Sequence, residues 1–405
     1  MSEGFFSKEE VSTKKAARVS SHTSCGACGL HKKCNSPKME PSGKGELGIL
    51  IIGEGISKQE DARNEAMIGA PAQLLRKVLD KEGIDLERDC LKMNAISCYS
   101  GDDPTEKQVE YCRPRVWRVI KEFKPELIIV LGNAAIESIL GHRWKKKLDG
   151  VTKWRGFVAP DRDTKCWVSF AFHPAYVLSE RERNPAVETI FTDDIAYAVR
   201  HIDVPFPQHK DEKECIEIVT DERRLKDLLT HTYDYADIIA FDYETTGLKP
   251  HAKGHQIVTC AVAESATSCY AFNMPKEGEN LHIWKQILKE RAIAKVAANM
   301  KFEDAWSRFI LQTVVENWIH DTMLTAHILD NRKSVTGLKF QAYVEFGIVD
   351  YDSKVSEYLV GEDEKESNGF NRILQAPRKP LLLYNGFDSL LEFRLYLIQK
   401  EILGL

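Results

Sequence analysis

The chain has 405 residues, 43% hydrophobic and 29% charged, with a net charge of -5. That length is too great for one ordinary core, so two domains are expected, and the apolar content excludes a disordered chain. The negative balance excludes nucleic-acid binding by bulk attraction, so any such contact must come from local patches.

No apolar run approaches the ~18 residues of a membrane helix, and Met1-Ser2-Glu3-Gly4 opens a polar stretch unlike a secretory signal. A cytoplasmic protein with no membrane attachment is expected. In that compartment the ten cysteines should be ligands or buried thiols rather than disulfides.

Residues 1-24 are polar and basic and lack a period long enough to bury anything, so a flexible tail is expected. From Leu47 the chain alternates apolar runs (Leu47 to Ile52, Leu127 to Leu131, Trp167 to Phe172) with amphipathic stretches (Ala70 to Glu82, Thr105 to Phe123). This alternation predicts an α/β domain with a parallel sheet over 25-204. Trp144, Lys145-Lys146-Lys147, Lys153, Trp154 and Arg155 form a basic, aromatic stretch that reads equally as a solvated face or a DNA contact. Pro205-Phe206-Pro207 and the charged run Lys210 to Glu214 predict a linker over 205-214. A second α/β domain is expected over 215-405. Its predicted strands (Ile216 to Val219, Ile238 to Asp242, Ile257 to Val262) come early, and its predicted helices (Leu281 to Arg291, Ala305 to Leu311, Asp388 to Ile402) come later.

Asp242 and Glu244 stand two apart on a predicted strand and therefore share a face at its exposed end. Two such carboxylates are costly together unless cations bind them. Further on, Asn299-Met300-Lys301-Phe302-Glu303-Asp304 supplies an Asn, an aromatic and acids. Tyr384-Asn385-Gly386-Phe387-Asp388 opens the last predicted helix, with Tyr384 and Asp388 on one helical face. These three motifs, in this order, resemble the DEDD superfamily of 3'-5' exonucleases, in its subclass with tyrosine in the third motif. The likeness is greatest to the proofreading domains of family A DNA polymerases, and His320 to Leu324 and Gly337-Leu338-Lys339 also look like segments of that domain.

The resemblance implies a ribonuclease H-like fold and hydrolysis of phosphodiesters with two Mg2+ or Mn2+ ions, which prefer hard carboxylate oxygens. It makes Asp242, Glu244 and Asp388 the ion ligands and Tyr384 the residue that orients the attacking water. The family's second motif places Asp where this chain has Glu303. Glu303 is the expected fourth acid and Asp304 the alternative, with slower rather than absent activity as the consequence. Asp321 reads as a structural hydrogen-bonding acid.

In the first half, Cys25 and Cys28 form a C-x-x-C, and Cys98 and Cys112 follow fourteen positions apart. Such spacing suits Zn2+ or an iron-sulfur cluster, and composition does not decide between them. With Gly53-Glu54-Gly55, Gln59-Glu60-Asp61, Gly69-Ala70-Pro71, Asn94, Cys112-Arg113-Pro114 and His173-Pro174-Ala175-Tyr176, this half resembles the iron-sulfur class of bacterial and archaeal uracil-DNA glycosylases. That resemblance implies a 4Fe-4S cluster on Cys25, Cys28, Cys98 and Cys112, leaving Cys34 and Cys90 spare. It also implies uracil recognition by Asn94, stabilisation of the leaving base by His173, and water positioning by Glu54. Ile56-Ser57 replaces the family's Pro-Gly, and Met67 stands where a stacking phenylalanine is expected. Uracil excision and a module that only binds or orients DNA are therefore both open.

The order of the two halves resembles the front part of certain bacteriophage family A polymerases. The implied partners are DNA, with single-stranded or frayed 3' ends and uracil as candidate targets, and a separate DNA polymerase subunit, in replication or repair. A glycosylase with a degenerate exonuclease, and a non-catalytic scaffold that tethers a polymerase, are the competing expectations.

Overall fold

The computed structural model describes residues 23-145, 147-208, 210-361 and 369-405. The tail expected over 1-24 lies almost wholly outside the described residues, as does Lys146 of the basic stretch. The chain divides into two compact units, one running to Pro207 and including Tyr343–Asp350, the other made of Gln208–Ala342 and Tyr351–Leu405.

The first unit is built on five strands: β1 (Ile49–Gly53), β2 (Cys90–Asn94), β3 (Leu127–Leu131), β4 (Val158–Asp161) and β5 (Cys166–Ala171). They lie in the order β2-β1-β3-β5-β4. The uninterrupted apolar runs of β1 and β3 are buried at every position, as central strands covered on both faces must be. All pairings are parallel, as expected, except the edge pair β4 with β5, which is antiparallel. The helices Ala70–Lys81 and Ala186–Arg200 bury their apolar stripes against this sheet. Tyr343 belongs to this unit despite its late position: its hydroxyl donates to Asp161 at 2.8 Å, and Asp161 also pairs with the buried Arg143.

The basic stretch does not form an open patch among its described residues. Trp154 is fully buried, Lys153 is buried beside Asp149, Lys145 pairs with Asp350, and Arg155 pairs with Asp194 at 2.9 Å. Lys147 alone of the described lysines there is exposed.

The second unit carries six strands: β6 (Ile216–Val219), β7 (Ile238–Thr245), β8 (Ile257–Ser265), β9 (Ser268–Asn273), β10 (Ala294–Ala297) and β11 (Trp318–Asp321), in the order β11-β10-β7-β8-β9-β6. The sheet is mixed, with β7-β8-β9 an antiparallel meander and parallel pairs at both edges. Strands are not confined to the start of this half, because β10 and β11 add two short parallel strands after the helix Glu279–Lys289. The end of the expected linker is packed: Glu212 is buried and pairs with Arg394 at 2.8 Å.

The last helix runs from Arg378 to Leu403, beginning ten residues before Asp388. Pro380 does not prevent the early start, since an N–H in the first turn has no helical partner to lose. The helix lies against β7, β8 and β9. Ser389 Oγ donates to the Ala240 carbonyl at 2.9 Å, and Asn385 Nδ2 donates to the Asp242 carbonyl at 3.2 Å, so the helix is fastened to β7 by polar bonds.

Gly386 lets the helix approach β6: a β-carbon there would sit 2.4 Å from Ile216 Cγ2. Elsewhere in a helix, Gly→Ala gains about 1 kcal/mol. Here overpacking costs about 1–3 kcal/mol and wins. Gly386→Ala is therefore expected to lower the urea midpoint, and a raised midpoint would contradict this packing.

Candidate functional site

The alternation along β7 determines the acidic site. Phe241, Tyr243 and Thr245 are buried on one side, where Tyr243 bonds to Ser307 at 3.1 Å and accepts from Trp284 Nε1 at 3.0 Å. Asp242 and Glu244 project together on the other face and keep partial exposure. Asp388 faces them from the last helix, and one carboxylate oxygen from each of the three lies within 4.8 Å of the others. That spacing suits a shared divalent cation.

The acids have little neutralising charge of their own. Burial and then Asp388 hold the Asp242 carboxyl well above its ordinary range, against the bond donated by Asn385 Nδ2 at 2.6 Å. Burial, Asp242 and Asp388 push Glu244 up as well, with Lys339 opposing. Asp388 is pushed up to about 6 by burial, again against Lys339. Tyr384 is buried, with the Asp388 charge helping to raise its hydroxyl above the usual range, and it lies one turn before that acid inside the helix rather than at its start.

Glu303, in the helix Met300–Phe309, is 1% exposed, and its Oε2 has no hydrogen-bond partner among the described residues. Burial and then Asp242 hold its carboxyl well above the usual range. Asp304 is differently placed: its Oδ2 accepts from Arg308 at 2.5 Å. Asp321 accepts from four backbone amides, those of Asn299, Met300, Met323 and Leu324, at 3.0–3.1 Å. It fixes the left-handed turn at Asn299 that launches the Glu303 helix.

Two groups escape the sequence motifs. Glu392, one turn beyond Asp388, is 1% exposed with an unpartnered Oε2, and burial, Asp242, Glu303 and Asp388 all push its carboxyl up. Its helical spacing from Tyr384 and Asp388 was the available signal. Tyr351 also bonds to Asp388, at 2.6 Å, from an irregular segment with no pattern to announce it.

In the first unit the expected base-reading residues gather at the C-terminal edge of the parallel strands, where open α/β sheets bind ligands. Glu54 follows β1, Asn94 ends β2, and His173 follows β5. A β-carbon on Gly53 would lie 2.3 Å from Asn94 Oδ1 and 3.3 Å from the Met67 ε-carbon, so glycine admits both side chains to one wall. Asn94 is buried and its Nδ2 donor has no protein partner. Glu54 Oε1 accepts from the Ala134 amide at 3.1 Å. His173 Nδ1 accepts from the Ala175 amide at 3.2 Å, which leaves Nε2 to carry the proton of the neutral ring. Burial holds this imidazole below its usual value, against Glu54 and Glu60. Met67 has φ +56° and is held there by its amide bond to Glu60 at 2.5 Å. Ser57, at one of the unexpected positions, caps the next helix reciprocally with Glu60.

Cys25 and Cys28 lie in one helical turn, while Cys98 and Cys112 are buried with Leu30 and Ile96, and Cys28 and Cys34 pack against that cluster. Burial pushes the Cys98 thiol up to about 11, with Cys34 and Cys112 adding to the shift. Burial also raises Cys112, with Cys28 and Cys25 adding. The four expected thiols, with Cys34 as a fifth, therefore share one patch. A donor set made wholly of sulfur fits an iron-sulfur or zinc centre.

The raised acids have a consequence for stability when chelator removes divalent ions. An acid with a raised folded pKa leaves its stability intact below the unfolded value, near ~4. Stability then falls as pH rises through the folded value, about 6 for Asp388. In chelator, Asp388→Asn should therefore gain Tm relative to wild type as pH rises from about 4 to about 8. A gap that narrows over that range in thermal melts would contradict the assignment.

Residues 41–196 match the family model for the uracil DNA glycosylase superfamily, and residues 216–402 match that for 3'-5' exonuclease. The chain is 32% identical over 180 residues to a type-4 uracil-DNA glycosylase of Pyrobaculum aerophilum, covering 42% of this chain and 86% of that protein. It is 23% identical over 371 residues to a DNA polymerase of Bacillus phage SP01, covering 82% of this chain and 38% of the polymerase. Brucella melitensis NrnC with bound Mg2+ is similar at 17% identity and TM-score 0.34, covering 47% of this chain and 80% of that one. Among the described residues, no helix is long and apolar enough to cross a membrane. By its first half the chain belongs to the uracil-DNA glycosylase superfamily, and that domain is fused to a 3'-5' exonuclease domain.

Proposed function

We propose that the chain shortens DNA from its 3' end by metal-assisted phosphodiester hydrolysis, acting with a DNA polymerase in replication or repair. The convergence of Asp242, Glu244 and Asp388 within 4.8 Å carries this reading. Two Mg2+ or Mn2+ ions, held by these acids with Glu303 as the fourth, would supply a hydroxide at neutral pH and offset charge on the attacking and leaving oxygens. Tyr384, through its hydroxyl beside Asp388, orients the attacking water. Glu303 takes the fourth position in preference to Asp304 because Asp242 and Glu244 lie close enough to raise its carboxyl, whereas Asp304 Oδ2 is engaged by Arg308. The similarity to a phage polymerase over 371 residues supports a polymerase partner and a bacteriophage setting. In that setting the protein acts in the cytoplasm of a host cell.

With 5'-labelled single-stranded DNA and Mg2+ or Mn2+, wild type should give stepwise shortening that chelator abolishes. Asp242→Ala should reduce the rate by about a thousandfold or more, as loss of an electrostatic catalytic group does. Undiminished shortening by Asp242→Ala would refute the assignment.

The glycosylase-like half recognises an extruded base. Its support is the buried, unpartnered Nδ2 of Asn94, a donor suited to a base carbonyl, at the sheet edge that also holds Glu54 and His173. Cys25, Cys28, Cys98 and Cys112 hold a 4Fe-4S cluster that fixes the loop after Cys28. Anaerobically purified wild type should contain iron and absorb in the visible, and Cys98→Ser should lose both, whereas stoichiometric zinc would overturn the cluster. Uracil-containing DNA should bind more tightly than its thymine counterpart, with the preference lost in Asn94→Ala. Alkali-labile sites formed on that DNA would add base excision to recognition, and equal binding of the two DNAs would remove both.

A further inference from the structure

Asp388 is gripped from outside its own helix. The Tyr351 hydroxyl donates to Asp388 Oδ1 at 2.6 Å. Its ring stacks on Tyr384 with centroids 5.8 Å apart and planes at 26°, and on Phe387 at 5.4 Å and 24°. The neighbouring Asp352 pairs with Lys339, whose Nζ lies 5.3 Å from the Tyr384 ring centroid and 6.0 Å from that of Tyr351. Residues 351 and 352 therefore send one side chain to an acid of the site and the other to the cation nearest it.

Physical chemistry gives this arrangement a purpose. A carboxylate free to rotate presents its lone pairs in many directions, and each bound cation must first select one. A phenol fixed by two ring stacks, donating to one oxygen, sets the carboxylate plane and leaves the other lone pairs turned outward. Hydrogen-bond partners of metal-binding carboxylates govern affinity for this reason. Tyr384 lies in the same helix as that acid, whereas the Tyr351 hydroxyl ties it to a different segment.

We infer that Tyr351 is a positioning residue of the exonuclease site, holding the Asp388 carboxylate in the orientation that accepts a divalent cation. This rests on the two-metal reading proposed above. The phenol contacts neither phosphate nor water in this role and acts only through Asp388, so its loss affects cation affinity and turnover rather than DNA affinity.

The test compares the full chain with Tyr351→Phe, which keeps both ring stacks and removes only the hydroxyl. Mn2+ alone is titrated calorimetrically, Tm is recorded in chelator, and kcat and KM are measured on labelled single-stranded DNA. The expected result is a loss of about tenfold in Mn2+ affinity and in kcat at subsaturating Mn2+. KM for DNA should be unchanged and Tm nearly so. Unchanged Mn2+ affinity and kcat would overturn the inference, and so would an effect confined to KM or to Tm. If wild type neither binds Mn2+ nor shortens DNA, the two-metal reading fails and takes this inference with it. If wild type does both and Tyr351→Phe equals it, only the role of Tyr351 fails.

Discussion

Carboxylates that share a partly dry pocket repel one another, and the exonuclease domain is arranged around that repulsion. Asp242 and Glu244 are placed together by the two-residue repeat of β7, and Asp388 is brought to them by a helix fastened to the same strand. Glu303 and Glu392 add buried acids, each with an Oε2 that has no partner among the described residues. A protein would not keep this many ionisable groups without compensation, because an uncompensated buried charge costs several kcal/mol. Lys339 lowers Glu244 and Asp388, but it is already paired with Asp352. Divalent cations are the compensation that the oxygen donors select.

The glycosylase-like domain shows a related economy. Several of its unusual features lie where the parallel strands end. There Asn94 keeps an unpartnered donor, Met67 is held in a left-handed conformation by Glu60, and His173 accepts a backbone bond that keeps Nε2 as the protonated nitrogen. Strain and unmet hydrogen bonds persist only where surrounding structure enforces them, and they concentrate at functional sites. The thiol patch belongs to the same domain. Thiols raised as far as Cys98 stay protonated at neutral pH, so a bound centre would have to displace their protons.

Much of this was legible in the sequence because the relevant periods are short. Asp242 and Glu244 are separated by the strand repeat, and Tyr384 and Asp388 by nearly one helical turn, so local geometry alone puts each pair on one face. The long apolar runs of β1 and β3 announced buried strands. The short strands β10 and β11 did not, since four residues containing Lys295 or His320 carry no usable alternation. Pro380 hid the true start of the last helix. Glu392 looked like one more polar residue on an amphipathic helix, and only tertiary packing shows that its face turns inward. Tyr351 reaches Asp388 across 37 residues of chain, a relation that no local pattern encodes. The assignment of Tyr343–Asp350 to the first unit is invisible for the same reason.

How many cations these acids hold, and where, decides whether the site is a two-metal centre. Crystals soaked in Mn2+ and measured at a wavelength with manganese anomalous scattering would answer it directly. Two anomalous peaks about 3.5–4 Å apart, bounded by Asp242, Glu244 and Asp388, are the predicted result. Occupied manganese elsewhere, with none among these three side chains, would contradict the account.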